Sequence, residues 1–556
     1  MRWFLQRLPA DWGIEIKKEA FPGVAIVAAL VPAALARMRR GVAQFILPSK
    51  SAAVRSFLPL TSFLILALLT IANGRRLFRH AMWGDELQAF MIADASSTPL
   101  DLFSKLKYEG HPGLWHLLLW MITRFTDYPF AMQVAQFLIA LSIWLLIWYV
   151  SPFKPIEKIL LLLSYYLFWE YFVLSRSYSL AVLLGFGFVA LIVNWPQQRF
   201  WPWVLLGLLS NTSVFGTIWA FALAGLFAAK NRMEWRTLVP GAATFAALAV
   251  LAIATMVPAA EADLPTAAFP MTNILPAVVS CVVGAFFPFF SPFLHDTLIF
   301  FGASKGELEA AFFRNPVDTI ANLAASSYAL TAGVLVLPIL ACSSIVRDRA
   351  LTITYLGTAI GILMFPTIWQ YPLAPRHYGF LFVALVGTVW MWRALPSRPI
   401  SLVWTALITL NALGGLLTFS SELRPYSQSR NAAMWIEKNH LQNDFLIGSP
   451  DYGTLAISGY LRRPLYYVDC ECFATYGIWR KVPESKRDLE FLAGVARALE
   501  TQHKDMALLI LSYPSSNLAK QKRLRNITIE PVHWFPDAII QREAYVIYRV
   551  KKQSSN

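Results

Sequence analysis

The sequence predicts a polytopic α-helical membrane protein of about eleven transmembrane helices, followed by a C-terminal soluble α/β domain on the outer face. Three observations predict it. Of the 556 residues, 57% are hydrophobic and only 15% charged, against about 25% charged in soluble domains. Apolar runs recur from residue 57 to residue 420. From about 421 the texture changes, and short apolar runs alternate with polar, helix-compatible stretches.

Residues 1–56 form a cytoplasmic N-terminal segment with no evident cleavable signal peptide. Its run FPGVAIVAALVPAAL, Phe21 to Leu35, contains two prolines and falls short of the roughly 20 residues a span requires. It ends in Arg37, Arg39 and Arg40 and reads as an interfacial or re-entrant element; the alternative is a misassigned start, with Met38 as the first residue.

Spans are expected near 57–73, 130–150, 158–174, 178–194, 201–211, 213–229, 238–258, 326–345, 350–367, 378–394 and 400–420. The runs at 201–211 and 213–229 are short and meet at Asn211-Thr212-Ser213, which reads as a tight hairpin. PGLWHLLLWMITRF at 112–125 is too short to cross and reads as a helix lying in the interface. The run 274–290 is either interfacial or one leg of a re-entrant hairpin.

Charge sets the orientation. Lys154, Lys158, Arg199, Lys230, Arg232, Arg236, Arg347, Arg349, Arg393 and Arg398 all fall in short loops on one side, opposed there only by Glu157, Glu234 and Asp348. That side should be the cytoplasm. The outer face then receives a first external loop at 75–129, a second at 259–325, and the α/β domain 421–556. The net charge of +15 thus belongs to helix orientation, and nucleic-acid binding is rejected.

Cys281 and Cys342 lie in apolar runs and read as packing residues. Cys470 and Cys472 form a lone C-x-C in the polar tail. On a strand both would face the same way and a direct bridge would be strained, while no histidine or second cysteine pair is near in sequence. The pair stays unassigned.

The chemistry-bearing residues concentrate just after the first span. MWGDELQAFMIA and YEGHPGLWHLLLW bring Asp85, Glu86, Glu109, His111, Pro112 and His116 into the first external loop. A carboxylate beside Trp83, Leu87 and Phe90 is partly desolvated, which raises its pKa toward that of a useful base. The competing reading is that Asp85 caps a helix beginning at Glu86 and Glu109 is merely solvated. Glu170 and Arg176 in FWEYFVLSRSYSL, and Arg376 and His377 in LAPRHYGF, fall at the outer ends of spans, where ionisable groups are costly. They either anchor helices and pair internally, as Glu170 with Arg176, or bind an anion; Arg314 is a weaker candidate. His111 and His116, five apart, would diverge by about 140° on a helix, unlike a metal-binding i, i+4 pair.

The Asp-Glu followed by E-G-H-P-G-L-W-H resembles the first external loop of GT-C glycosyltransferases that use polyprenyl-phosphate sugars. The likeness is to the protein mannosyltransferase and lipid A aminoarabinose transferase group, with related bacterial lipopolysaccharide sugar transferases. It extends loosely over 57–420. The resemblance implies that Asp85 is the catalytic base and Glu86 its neighbour. Glu109, His111 and Pro112 match the second signature, in which Gly113 replaces a second proline, and Arg176 with Tyr178 falls where members often have a similar Arg and Tyr. Arg376, with Arg176 and His377, is expected to hold the lipid phosphate, which an Arg fork suits. A polyprenyl-phosphate-linked sugar is then the donor, and a lipid, glycan or protein the acceptor. No cofactor is required, although a divalent cation on Asp85 and Glu109 stays open because some members use one. The expected location is the bacterial inner membrane, with the active site and the C-terminal domain periplasmic and Asp451 and Tyr452 exposed there. A secondary transporter, with repeats and midplane charges, and a non-catalytic envelope assembly protein are the alternatives.

Overall fold

The computed structural model describes residues 58–231, 235–260, 271–290, 345–369, 373–395, 401–479, 491–512 and 527–553, with isolated positions between 262 and 343. The N-terminal segment with its 21–35 run, most of the loop 259–325 with Arg314, and most of the expected span 326–345 lie outside the described residues.

The first part is helical. Helix α1 (Leu58–Arg79) leads into three short helices, α2 (Gly84–Asp94), α3 (Pro99–Leu106) and α4 (Leu114–Thr123). Then come α5 (Phe130–Leu145, prolonged by a π-helical turn to Val150), α6 (Pro155–Leu163), α7 (Ser177–Asn194), α8 (Trp201–Ser210), α9 (Val214–Lys230) and α10 (Trp235–Met256). Helices α11 (Met271–Phe286), α12 (Arg349–Trp369), α13 (Pro375–Arg393) and α14 (Leu402–Leu417) complete it.

Among the described residues four helical stretches are long and apolar enough to cross a membrane: Phe130–Val150, Ser177–Asn194, Leu238–Met256 and Leu402–Glu422. Helix α4 has ten residues, about 15 Å of helix, half a hydrocarbon core. Helices α8 and α9 do form a tight hairpin, with the Ser213 hydroxyl accepting the Gly216 N–H at the start of α9.

The expected continuous span 158–174 is instead broken. Helix α6 stops at Ser164, whose ψ of 143° is extended, and a π-helical turn follows at Tyr166–Glu170. Helix α14 packs into this break: a Cβ on Gly415 would lie 2.0 Å from the Leu163 carbonyl oxygen. Freed backbone groups in an apolar setting need partners, and buried side chains supply them. Asn73 donates to the Phe168 carbonyl (2.6 Å), Trp144 to Leu167 (2.9 Å) and Gln136 to Tyr171 (3.0 Å).

Alternate helix ends converge at two poles. At one, Arg76 of α1 bonds Thr418 beyond α14, the Ser175 N–H bonds Glu86, the Leu114 N–H bonds the Asn211 carbonyl, and Arg376 reaches Asp85. At the other, Glu157 accepts from Arg393 (3.3 Å) and the Trp404 indole (2.9 Å). These are the two sets of loops that the charge pattern assigns to opposite faces. Helix α13 runs between the poles with its side chains buried almost all round, the environment of a central helix.

The C-terminal domain comprises α15 (Ser429–Lys438), β1 (Leu446–Ser449), α16 (Asp451–Leu461), β2 (Leu465–Tyr467), β3 (Cys472–Ala474), α17 (Phe491–Thr501), β4 (Met506–Ser512), β5 (Ile527–Phe535) and β6 (Tyr545–Lys552). Its mixed sheet has the order β3-β2-β1-β4-β6-β5, with β1 parallel to both neighbours and the other pairs antiparallel. Side chains alternate across the strands. Leu446, Leu508, Ile510 and Ile547 join the core continuous with the helical part, while Ile447, Leu509, Leu511 and Val550 pack with Leu492, Val495 and Leu499 of α17. Cys470 and Cys472 are disulfide-bonded. The expectation of a strained bridge assumed a strand; Cys470 lies in a turn, and Glu471 between the two has a φ of 51°.

The domain grips the segment between α1 and α5. Arg430 donates to the carbonyls of Arg79 (3.1 Å) and His80 (2.6 Å), the Met82 N–H donates to the Tyr460 hydroxyl (2.7 Å), and α16 packs along α2.

Candidate active site

Helix α2 begins two residues earlier than the capping reading of Asp85 requires. Trp83 is its N-cap, and Glu86, at the third helical position, accepts the Trp83 N–H (3.3 Å) in the reciprocal half of a capping box. Glu86 also accepts the Ser175 N–H (2.6 Å), lies 2.7 Å from His80 Nε2, and is 0% exposed. The residue expected beside Asp85 in the chemistry therefore ties the loop to the helix ends.

Asp85 faces the other way and retains 28% side-chain exposure. Three guanidiniums surround it: Arg376 at 3.2 Å and Arg176 at 3.6 Å from one carboxylate oxygen, Arg542 at 3.3 Å from the other. Arg176 also donates to the backbone carbonyl of Asp85, and Arg376 and Arg542 both lie against the Trp83 indole. Burial would raise the Asp85 pKa, but the guanidiniums of Arg376, Arg176 and Arg542 outweigh it and hold the carboxyl below its usual range. The alternative pairing of Arg176 with Glu170 does not occur in the structure. Glu170 instead accepts from the Tyr165 hydroxyl (2.9 Å).

His377 is buried. Its Nδ1 accepts the Ala374 N–H (3.1 Å), so Nε2 carries the proton and donates to the Tyr178 hydroxyl (3.0 Å). This pair joins the starts of α7 and α13, and so sets where Arg176 and Arg376 emerge.

Glu109 accepts from Gln88 Nε2 (2.8 Å) and from the Trp479 side chain. Burial pushes its carboxyl up to about 7 against those two bonds. Burial, reinforced by Arg176 and Arg376, pushes the His111 ring down to about 4. His116 is buried in α4 and bonds the Pro112 carbonyl. The divergence argument for the two histidines does not apply, because α4 starts only at Leu114. Among the described residues no group of three or more His, Cys, Asp or Glu side chains gathers as a metal site. Three cationic groups around Asp85 also make that carboxylate a poor fit for a divalent ion.

The departure at Gly113 has a steric reason. A Cβ there would fall 2.3 Å from the Phe103 ring. Gly113→Ala is expected to cost about 1–3 kcal/mol through overpacking, read as a lowered thermal midpoint of the purified protein.

Arg542 and Glu543 come from the C-terminal domain. In sequence they look like ordinary polar residues before a strand, and no pattern distinguishes them. The Glu543 carboxylate accepts the Gly84 N–H (2.8 Å) on one oxygen and the Ser427 (2.6 Å) and Ser429 (3.1 Å) hydroxyls on the other. Asp451 opens α16 beside this joint, and Tyr452 is 44% exposed.

Burial raises the Glu543 carboxyl to about 7. A raised folded-state pKa contributes stability that is complete below the unfolded value, about 4.3, and is lost as pH rises through about 7. Between pH 6 and pH 8 this group should cost on the order of 1 kcal/mol. Glu543→Gln should flatten the fall in thermal midpoint over that interval; an unchanged slope would show that Glu543 does not titrate there.

No protein-family model matches this chain, and no curated protein matches it.

Proposed function

We propose that the chain is an integral-membrane glycosyltransferase that moves a sugar from a polyprenyl phosphate to an acceptor hydroxyl at the outer face of the bacterial cytoplasmic membrane. One observation carries the reading. A single partly exposed carboxylate, Asp85, stands among three guanidiniums at the pole where helix ends meet. The cluster holds more cationic charge than Asp85 neutralises, which suits an arriving phosphate and a base in one place.

In this reading the phosphate draws Arg376, Arg176 and Arg542 toward itself. Asp85, released from them and partly desolvated, rises in basicity. It takes the acceptor proton as the acceptor oxygen bonds to the anomeric carbon. The bond from that carbon to phosphate oxygen breaks, polyprenyl phosphate leaves with the electron pair, and the anomeric centre inverts. Glu86, His80, His377 and Tyr178 position these groups, and Glu109 and His111 face the acceptor side. Eleven crossings with the N-terminus inside put the cluster outside. The two-pole convergence supports that count, and the Cys470–Cys472 disulfide suits an oxidising compartment.

The test is mass spectrometry of envelope glycolipids and glycans from a deletion strain and from the same strain carrying the wild-type chain. A sugar mass lost on deletion and restored by the chain is expected. No glycan change would overturn the reading and favour transport or assembly. Monophosphate and diphosphate donors, compared in purified membranes, separate this activity from a polymerase or ligase.

A further inference from the structure

A cleft of about 250 Å³ opens between the first external loop and the C-terminal domain, lined by Ser104, Lys105, Lys107, Tyr108, Glu109 and Tyr476 among others. Its wall is fixed. Gln88 donates to the Gly477 carbonyl (2.7 Å) and accepts the Gly477 N–H (2.9 Å), clipping the domain's 476–478 segment to α2. The same Gln88 amide holds Glu109 and lies one helical turn after Asp85.

We infer that this cleft is a saccharide subsite for one sugar ring bearing an anionic substituent, the end of the acceptor that receives the transferred sugar. This deepens the glycosyltransferase reading and rests on it for the word acceptor; the binding itself does not. Four features set the ligand class. The volume is below the roughly 300–1,000 Å³ of drug-sized sites, so it takes one ring and not an oligosaccharide. Tyr108 and Tyr476 offer amphipathic rings suited to the apolar face and the hydroxyls of a sugar. Glu109, held in place by two side chains, is the polar group that orients those hydroxyls. Lys107, exposed with its ammonium 5.0 Å over the Tyr108 ring, is the rim cation that meets the anionic substituent, while Lys105 is tied to Asp101 (2.9 Å) and to the Ala95 carbonyl (2.6 Å).

The experiment titrates the purified full-length chain, in detergent, with glucuronic acid and with glucose, read by saturation-transfer difference NMR. Wild type should bind glucuronic acid saturably and at least five-fold more tightly than glucose. Lys107→Glu should remove most of that preference, and Tyr476→Ala should weaken both sugars at least five-fold. Saturable binding that neither cleft variant changes, or no saturable binding of either sugar, overturns the subsite. Lys107 is exposed, so its substitution leaves the fold intact and keeps the test decisive. If binding holds while the envelope glycans of the deletion strain are unchanged, the subsite stands and the transferase reading fails; the reverse pattern sinks the subsite alone.

Discussion

Asp85→Asn is expected to lower sugar transfer by about 10²–10⁴-fold, the usual contribution of a general base, while the protein accumulates in the membrane at normal levels. Asn keeps the shape and an oxygen acceptor but cannot take the acceptor proton. Folding should survive because Asp85 is partly exposed and Glu86, not Asp85, holds the start of α2. Loss of the carboxylate among Arg376, Arg176 and Arg542 should also tighten anion binding, so donor affinity should hold or improve as turnover falls. The measurement is transfer rate in membranes matched for abundance, with envelope glycan masses as the cellular readout. Full restoration by Asp85→Asn would remove Asp85 from the role of base.

Glu86→Ala is expected to do something different: the protein should fail to fold stably. Its carboxylate is fully buried and satisfies His80 and the N–H groups of Trp83 and Ser175. Removing one partner from such a buried charged cluster costs roughly 3–5 kcal/mol, a large share of a typical stability. Glu86→Gln should be intermediate, since its amide nitrogen would face a backbone N–H donor. The comparison is the yield of monodisperse protein and its thermal midpoint. A stable Glu86→Ala protein that had lost only activity would return Glu86 to the chemistry.

The contrast between these neighbours shows what was legible. Asp85 and Glu86 carry the same chemistry and adjoin in the chain, so composition could mark the pair but not divide its labour. The division depends on α2 starting at Gly84, which turns one carboxylate into the interior and leaves the other at the surface. Arg376 and Arg176 were visible as costly charges at span ends. Arg542 was not, because a polar residue before a strand in a soluble domain carries no penalty that would mark it. The expected span 158–174 failed for a related reason: hydropathy sees an apolar run, but the break at Ser164 is made tolerable by Asn73, Gln136 and Trp144, far away in sequence.

By itself the sequence determined a helix-rich, membrane-suited chain, a sheet domain after residue 421 and a first loop dense in ionisable residues. Those properties follow from composition and short-range periodicity, which each segment carries alone. Only the tertiary structure decided that the C-terminal domain closes over the loop, that Arg542 completes the ring around Asp85, and that a cleft opens beside Glu109. Such features arise where segments 350 to 459 residues apart meet, and their partners are chosen by packing and charge compensation, which no local pattern encodes.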